Sequence, residues 1–471
     1  MNWIESELSG MQLGDRRLEK RAVNLFEKLS SNPTESIPGA CNKFSETKAA
    51  YRFFDHKNVS AEKILAPHIN STISRIQSHK TVLLLQDTTE LSYRGQPEKS
   101  GVGPSKYDDD QTLFLHPLIA VTPDKCPLGI VDNLSWYREE LHTRTKTKQE
   151  LNSYHMHCPI EFKESYRWLL GYQKSCKIAE RCPDTQIICV GDRESDIFDI
   201  YHNEEQRGDT LRADWLVRAR INRVLLDEND DRKTTLLFEE MKKTKEVGKI
   251  KITVPKRGNQ KKRTVILSVK IKQVKLHPPT GRRGELKLEP VHATVVATSE
   301  INPPKGCAPI EWILLTSVLC DDTLSDAKKI MAWYLARWQI EVFFKTLKTG
   351  CRVEAIQIKE GSRFLPCIAM YLIITWRIMY ITHLSRTEPT LDCNCCYSKD
   401  EWRTIYMLNK KRKPPKVSPS IEVITRMLAT MGGYLGRKSD GPPGPKTIWL
   451  GLRVLNNFLQ SQNTLKKVKE M

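Results

Sequence analysis

A chain of 471 residues, 39% of them hydrophobic, is ample for a real core and for about three domains. Its 75 lysines and arginines against 56 acidic residues give a formal charge of +19 and a pI near 9.3, which points to a polyanionic partner, nucleic acid first. Secreted, disulfide-framed and membrane-spanning classes fit poorly: Met1 is followed by Asn-Trp-Ile-Glu-Ser-Glu and not by a signal-peptide pattern, the 13 cysteines are scattered and odd in number, and the longest uncharged apolar stretch, Phe364 to Trp376, is too short for a bilayer and reads as a buried helix.

In chain order, residues 1 to about 68 read as helical. Leu18, Ala22, Leu25, Phe26 and Leu29 fall at helical spacing behind a basic first turn, a second helix starts near Ser45, and a third starts at Ser60. The charge favours a DNA-reading unit, and a protein-docking cap has the same pattern. From Thr81 the pattern turns to strands. Thr81 to Gln86 is a short apolar run expected of a strand buried on both faces, and it ends at Asp87. Thr112 to Val121 and Leu128 to Tyr137 follow as antiparallel neighbours, then a helix from Glu161 through Lys174. A second buried strand, Thr185 to Val190, ends at Gly191-Asp192-Arg193-Glu194-Ser195-Asp196.

Trp215 to Arg223 reads as a strand with arginines on one face. Met241 to Gly284 then carries 15 Lys/Arg against the single Glu246, in alternating short strands such as Lys249 to Val254 and Thr264 to Val269. Lysines on edge strands also prevent aggregation, but so lopsided a balance favours a phosphate-contacting platform. Glu311 to Thr316 is one more core strand. Beyond Gly350 the chain is helical, with a polar, Cys- and Pro-containing break from Leu391 through Pro415 that includes the cysteine cluster Cys393, Cys395 and Cys396. That cluster lacks a second pair at zinc-finger spacing. Trp449, Leu452 and Leu455 are placed to pack either on another subunit or on their own domain.

Between core and C-terminal part lies Trp333 to Lys348. Read as one helix, it places Tyr334, Arg337, Glu341, Lys345 and Lys348 within about 80° of one another on an otherwise apolar rod. A ladder of i,i+4 ion pairs has the same spacing. Site residues in open sheets gather at strand C-terminal ends, so Asp87, Asp192 and Glu341 are expected to converge. Magnesium prefers oxygen ligands, and such a trio suits two Mg²⁺ ions about 3.5–4 Å apart, with Mn²⁺ as a substitute, for in-line displacement at phosphorus. Asp108 to Asp110, Glu194 and Asp196 are competing acids, and a glycosidase reading leaves the charge unexplained.

The Tyr334, Arg337, Glu341, Lys348 spacing resembles the signature of bacterial DDE cut-and-paste transposases of the insertion-sequence-four family, and within it the transposon-five branch. Asp87-Thr-Thr-Glu-Leu-Ser-Tyr-Arg94 and Asp192-Arg-Glu-Ser-Asp196 are similar to the blocks around that family's first two catalytic aspartates. Leu13-Gly-Asp-Arg16, Ala50-Tyr-Arg-Phe53, Asn58-Val-Ser-Ala-Glu62, Ile301-Asn-Pro-Pro-Lys-Gly306, Gly432-Gly433 and Trp449 extend the likeness over nearly the whole chain, weakest from Leu384 to Val417.

The resemblance implies an α/β ribonuclease-H-like catalytic core, a mixed sheet with helices, over residues 69–360, carrying a β-rich insertion at about 223–310. Small α-helical domains flank it: a DNA-binding one at 1–68 and a dimerising one at 361–471. It implies an enzyme that cuts double-stranded DNA at inverted-repeat transposon ends through a hairpin and joins the 3′ ends to target DNA. That enzyme works as a homodimer in the bacterial cytoplasm at the nucleoid, with no membrane partner. Asp87, Asp192 and Glu341 would be catalytic and hold the metal. Tyr334, Arg337, Lys345 and Lys348 would grip phosphate, Trp312 would stack on a flipped base, and Arg193, Arg218 and Arg220 would touch DNA by local context. A metal nuclease that cuts without joining, or a DNA-binding regulator without catalysis, is the alternative.

Overall fold

The structure, a computed structural model, describes residues 3–41, 43–105, 111–139, 158–205, 211–227, 233–254, 263–279 and 288–469. Asp108 to Asp110, and the parts of the basic insertion at 255–262 and 280–287, lie outside them.

Five helices open the chain: α1 (Trp3–Leu8), α2 (Arg16–Ser31), α3 (Ile37–Cys41), α4 (Phe44–Phe54) and α5 (Ala61–Ile76). Asp15 caps α2 by accepting from the Arg17 N–H at 2.7 Å, and Ser60 caps α5 by accepting from Lys63 at 3.3 Å. Leu18, Ala22, Leu25, Phe26 and Leu29 are buried as their spacing predicts, each large side chain stabilising by about 1.5–3 kcal/mol. Helix α5 runs past the expected end at 68, through Pro67 to Ile76, because Ile73 and Ile76 continue its buried face. Its inner side carries a buried polar cluster. The Arg75 guanidinium and His68 Nδ1 both reach the Glu7 carboxylate at 2.6 Å, while Arg75 Nε donates to Leu128 O at 2.6 Å and the Ile130 N–H to His68 Nε2 at 3.1 Å. The N-terminal helices are thereby tied to the sheet.

That sheet has twelve strands among the described residues. Strands β1 (Thr81–Gln86) and β2 (Thr89–Ser92) both lie antiparallel to β3 (Thr112–Val121), which also pairs with β4 (Pro127–Trp136). On its other side β1 pairs in parallel with β5 (Gln186–Val190), and β5 in parallel with β6 (Asp214–Arg218). The order β4-β3-β1-β5-β6 is the mixed arrangement expected of a ribonuclease-H-like core. Every residue of β3 is buried, as are all but the first of β1, so these strands are covered on both faces. Helix α6 (Tyr166–Arg181) covers β5, and α7 (Phe198–Glu205) follows it. The expected strand to Arg223 stops at Arg218.

Beyond β6 the sheet continues instead of closing. Strands β7 (Val224–Leu226) and β8 (Thr234–Leu236), helix α8 (Leu237–Lys243), and strands β9 (Gly248–Val254), β10 (Arg263–Leu276), β11 (Val291–Glu300) and β12 (Glu311–Thr316) extend it, and β12 returns antiparallel to β6. Strand β10 is a single long ribbon where a short strand ending at Val269 was expected. Val265, Leu267, Val269 and Ile271 bury one face of it, and past Gln273 the buried positions change phase to Val274 and Leu276, which join a second core cluster.

The chain then forms α9 (Leu324–Ala336), α10 (Trp338–Lys345), a π turn at Thr346–Gly350, and the long α11 (Gly361–Thr387). Helix α11 is long and apolar enough to cross a membrane, but it is buried along most of its length as the central helix of the core. The expected polar break holds a helix, α12 (Lys399–Lys410), started by a capping box between Ser398 and Glu401. Helices α13 (Ile421–Met431) and α14 (Pro445–Lys469) complete the chain. They cross backbone to backbone: a Cβ at Gly451 would lie 2.1 Å from Leu428 O, and one at Gly432 2.0 Å from Thr447 O. Trp449, Leu452 and Leu455 pack within their own chain, Trp449 against Gly350.

Candidate active site

Strand register places the two aspartates. Leu85 of β1 pairs with Val190 of β5, and Asp87 and Asp192 each lie two residues further on, at neighbouring strand ends. Asp87 occupies the break between β1 and β2, and its Oδ1 accepts from the Thr88 N–H at 2.8 Å. Asp192 caps a short 3-10 turn and accepts from the Glu194 N–H at 2.7 Å.

Glu341 is carried by α10. The signature stretch keeps helical backbone angles through Arg337, where its hydrogen bonding tightens, with the Arg337 N–H on Tyr334 O and the Ile340 N–H on Arg337 O, and its end passes into the π turn that carries Lys348. Trp333, Ile340, Phe343 and Leu347 anchor it in the core, whereas Glu341 is 44% exposed. Arg337 Nη1 reaches Asp87 Oδ2 at 2.8 Å and lies 3.8 Å from Glu341 Oε1. The ion-pair ladder is therefore only partly built, and the stronger partner of Arg337 is the aspartate of another element.

Asp87 has an uncomfortable environment for an anion. Burial raises its pKa most, Arg337 opposes that, and the charges of Asp192 and Glu341 raise it again, leaving the carboxyl pushed up to about 7. Three hard oxygen donors that repel one another, one of them buried, fit a divalent cation. Among the described residues no group of three His, Cys, Asp or Glu side chains stands close enough to form a closed metal shell. The cation beside Asp87 among the described residues is the Arg337 guanidinium.

Cations and aromatics surround the acids. Tyr334 is buried, with both the Arg337 and Arg218 guanidiniums against its phenol and the Trp312 ring at 6.3 Å. Arg218 donates to Glu311 O at 2.8 Å, and its buried Nε has no partner. Burial first, then the charges of Arg193 and Arg337, lower its pKa, so an anion among these three arginines would relieve it. Lys345 is exposed, and Lys348 lies 3.7 Å from Glu354. The Arg220 side chain is exposed, and its backbone N–H donates to Asp196. Trp338, 54% exposed at 6.0 Å from the Arg337 guanidinium, adds an aromatic the sequence did not single out.

The competing acids are engaged elsewhere. Buried Asp196 accepts from Tyr201, from Arg223 and from the N–H groups of Arg220 and Ile221, which makes it a structural hub. Glu194 pairs with Arg167 at 2.7 Å. Arg167 and its neighbours Thr88, His116 and Gln86 form a buried network behind the aspartates that the sequence left unremarked; only Thr88, adjoining Asp87, carried a local signal.

In the insertion, Lys249 and Lys251 point outward from β9, an edge strand, while Ile250 and Ile252 face the core. Other cations are used internally: Lys270 Nζ donates to Met241 O and Lys242 O, and Lys272 pairs with Glu240. All thirteen cysteines are free.

Comparison with known proteins gives three family matches in chain order: a transposase DNA-binding model over residues 1–59, a transposase DDE domain over 184–375, and a transposase Tn5 dimerisation domain over 373–470. The DDE match contains Asp192 and Glu341, whereas Asp87 lies before it and joins them through the sheet register. Among solved structures the chain is similar to a piggyBac transposase synaptic complex with hairpin DNA, at 13% identity and a TM-score of 0.33, over 70% of this chain and 52% of that one. The chain thus spans about half the length of that protein.

Proposed function

We propose that this chain, a DDE transposase of the Tn5 type by its three matched segments, carries out cut-and-paste transposition: cleavage at inverted-repeat transposon ends through a hairpin, then strand transfer into target DNA. The observation that carries the reading is the register that sets Asp87 and Asp192 side by side, with Arg337 standing between Asp87 and Glu341. Asp87, Asp192 and Glu341 would hold Mg²⁺, with Mn²⁺ as a substitute. The metal when bound would activate water or a 3′-hydroxyl and stabilise the leaving oxygen.

The chain's own groups do the rest. Arg193, Arg218, Arg337, Lys345 and Lys348 neutralise phosphates on the strand entering the site, Arg220 adds a contact at its edge, and Tyr334 keeps two of these guanidiniums in place. Trp312, beside Tyr334, stacks on a base turned out of the transposon end. Residues 1–68 bind the end and 361–471 dimerise, with the core between them. The protein acts as a homodimer on paired ends, at the nucleoid.

Substituting Asp87→Ala, Asp192→Ala or Glu341→Ala is expected to abolish cleavage of a labelled transposon end in Mg²⁺ while leaving end binding in a gel-shift assay intact. Full cleavage by any one variant would remove that residue from the site. Cleavage without joined products from the unaltered protein would favour a nuclease.

A further inference from the structure

Behind the two aspartates lies a side chain that the chemistry above does not use. Arg167 is the second residue of α6, and its guanidinium makes three directed bonds: Nε to Thr88 Oγ1 at 2.8 Å, Nη2 to Glu194 Oε2 at 2.7 Å, and Nη1 to Glu164 O at 2.5 Å. Thr88 and Glu194 are the residues whose backbone N–H groups bond Asp87 Oδ1 and Asp192 Oδ1. Each aspartate is therefore oriented by a neighbour, and both neighbours are held by the same guanidinium.

The staple is itself fixed. Arg167 is only 12% exposed and lies 5.4 Å from the Trp136 ring and 5.8 Å from the Trp168 ring. Because Thr88 Oγ1 accepts from Arg167, its hydroxyl proton is free for His116 Nδ1 at 2.9 Å. His116 Nε2–H then donates to Gln86 Oε1 at 3.0 Å, and the Gln86 amide to Cys189 Sγ at 3.1 Å. One run of donors thus leads from the guanidinium through β1 to β5, the two strands that carry the aspartates. It requires a neutral imidazole, in keeping with the burial that pushes His116 down to about 3.

We propose that Arg167 is a positioning residue that sets the separation and orientation of Asp87 and Asp192, and thereby the affinity of the site for a divalent cation. This rests on the reading of those aspartates as metal ligands. The role is geometric and not electrostatic, since a positive charge there would by itself repel a metal. Lysine keeps the charge but lacks the planar fork that spans both loops.

The test is direct titration of the full-length protein with Mn²⁺, following free ion by electron paramagnetic resonance, alongside metal-free end binding and circular dichroism. Arg167→Gln and Arg167→Lys are each expected to weaken Mn²⁺ binding about tenfold with the other two readouts unchanged, the lower end of what supporting residues around metal ligands contribute. Glu194→Gln should weaken binding less and add nothing in the Arg167→Gln background. Should Arg167→Gln fail to fold, Thr88→Val removes one arm and should weaken binding, with Thr88→Ser restoring it. Wild-type affinity in Arg167→Lys, or full additivity with Glu194→Gln, would overturn the proposal. Asp192→Ala serves as the control: if it binds Mn²⁺ normally, the metal-site reading itself fails, whereas loss there with no loss in Arg167→Gln defeats only the staple.

Discussion

Individual side chains in this protein fall into those that a neighbour in sequence explains and those that only the folded chain explains. The strand-end positions of Asp87 and Asp192 are legible because each follows a short apolar run, and the place of Glu341 beside Arg337 from their i,i+4 spacing. Arg167 was not, since its partners Thr88 and Glu194 lie 79 and 27 residues away. The Glu7, His68 and Arg75 cluster is of the same kind and has a measurable consequence. Burial alone would raise the Glu7 pKa, but its bonds and charge interactions with His68 and Arg75 outweigh this and hold it below 4.5; burial pushes His68 below 6.5 against the pull of Glu7. A depressed imidazole stabilises the fold above pH 6.5 and loses that contribution as pH falls through its folded value. A depressed carboxylate does the same below 4.5. Both signs agree, so the melting temperature should fall as pH is lowered from 7 to 4. Glu7→Ala, which leaves the half-buried Arg75 guanidinium without its carboxylate, should cost about 1–3 kcal/mol at pH 7 and remove the part of this dependence that lies below pH 4.5, while the His68 part persists in a thermal melt. A melting temperature equal to wild type would mean the cluster is solvated.

Elements were read best where one physical requirement acts alone. Thr81–Gln86 and Thr112–Val121 have the bounds their apolar runs predict, because strands covered on both faces tolerate little else. The long β10 exceeds the expected Thr264 to Val269 because its buried positions change phase at Gln273, so no single period of two runs its length, and α12 is hidden by the cysteines and prolines on either side of its capping box. The signature stretch keeps the expected helical backbone through Arg337, and what no periodicity contains is the contact of that arginine with Asp87. The crossing of α13 and α14 depends on two glycines. Gly451→Ala would set a methyl 2.1 Å from Leu428 O and force the helices apart. It should lower stability by about 1–3 kcal/mol, visible as a reduced melting temperature and, if 361–471 dimerise as proposed, as weaker pairing of DNA ends. An unchanged melting temperature would show that the crossing is loose.

The molecule as a whole carries its +19 charge unevenly, and the sheet explains part of that. Strand β9 presents Lys249 and Lys251 outward on an edge, while Lys270 and Lys272 serve the fold. Edge protection and DNA contact make different predictions for the outward pair. As phosphate contacts they should steepen the fall of affinity with salt, and Lys249→Gln with Lys251→Gln together should reduce the slope of log affinity against log salt by about 2. An unchanged slope would assign these lysines to edge protection. The architecture that matters most is the meeting of a strand-end pair with a distant helix, and one substitution tests it most directly. Asp192→Cys exchanges a hard oxygen ligand for a soft sulfur at the same strand end. The account predicts that cleavage of a transposon end is lost in Mg²⁺ and partly recovered in Mn²⁺; undiminished cleavage in Mg²⁺ would contradict a metal site at Asp192.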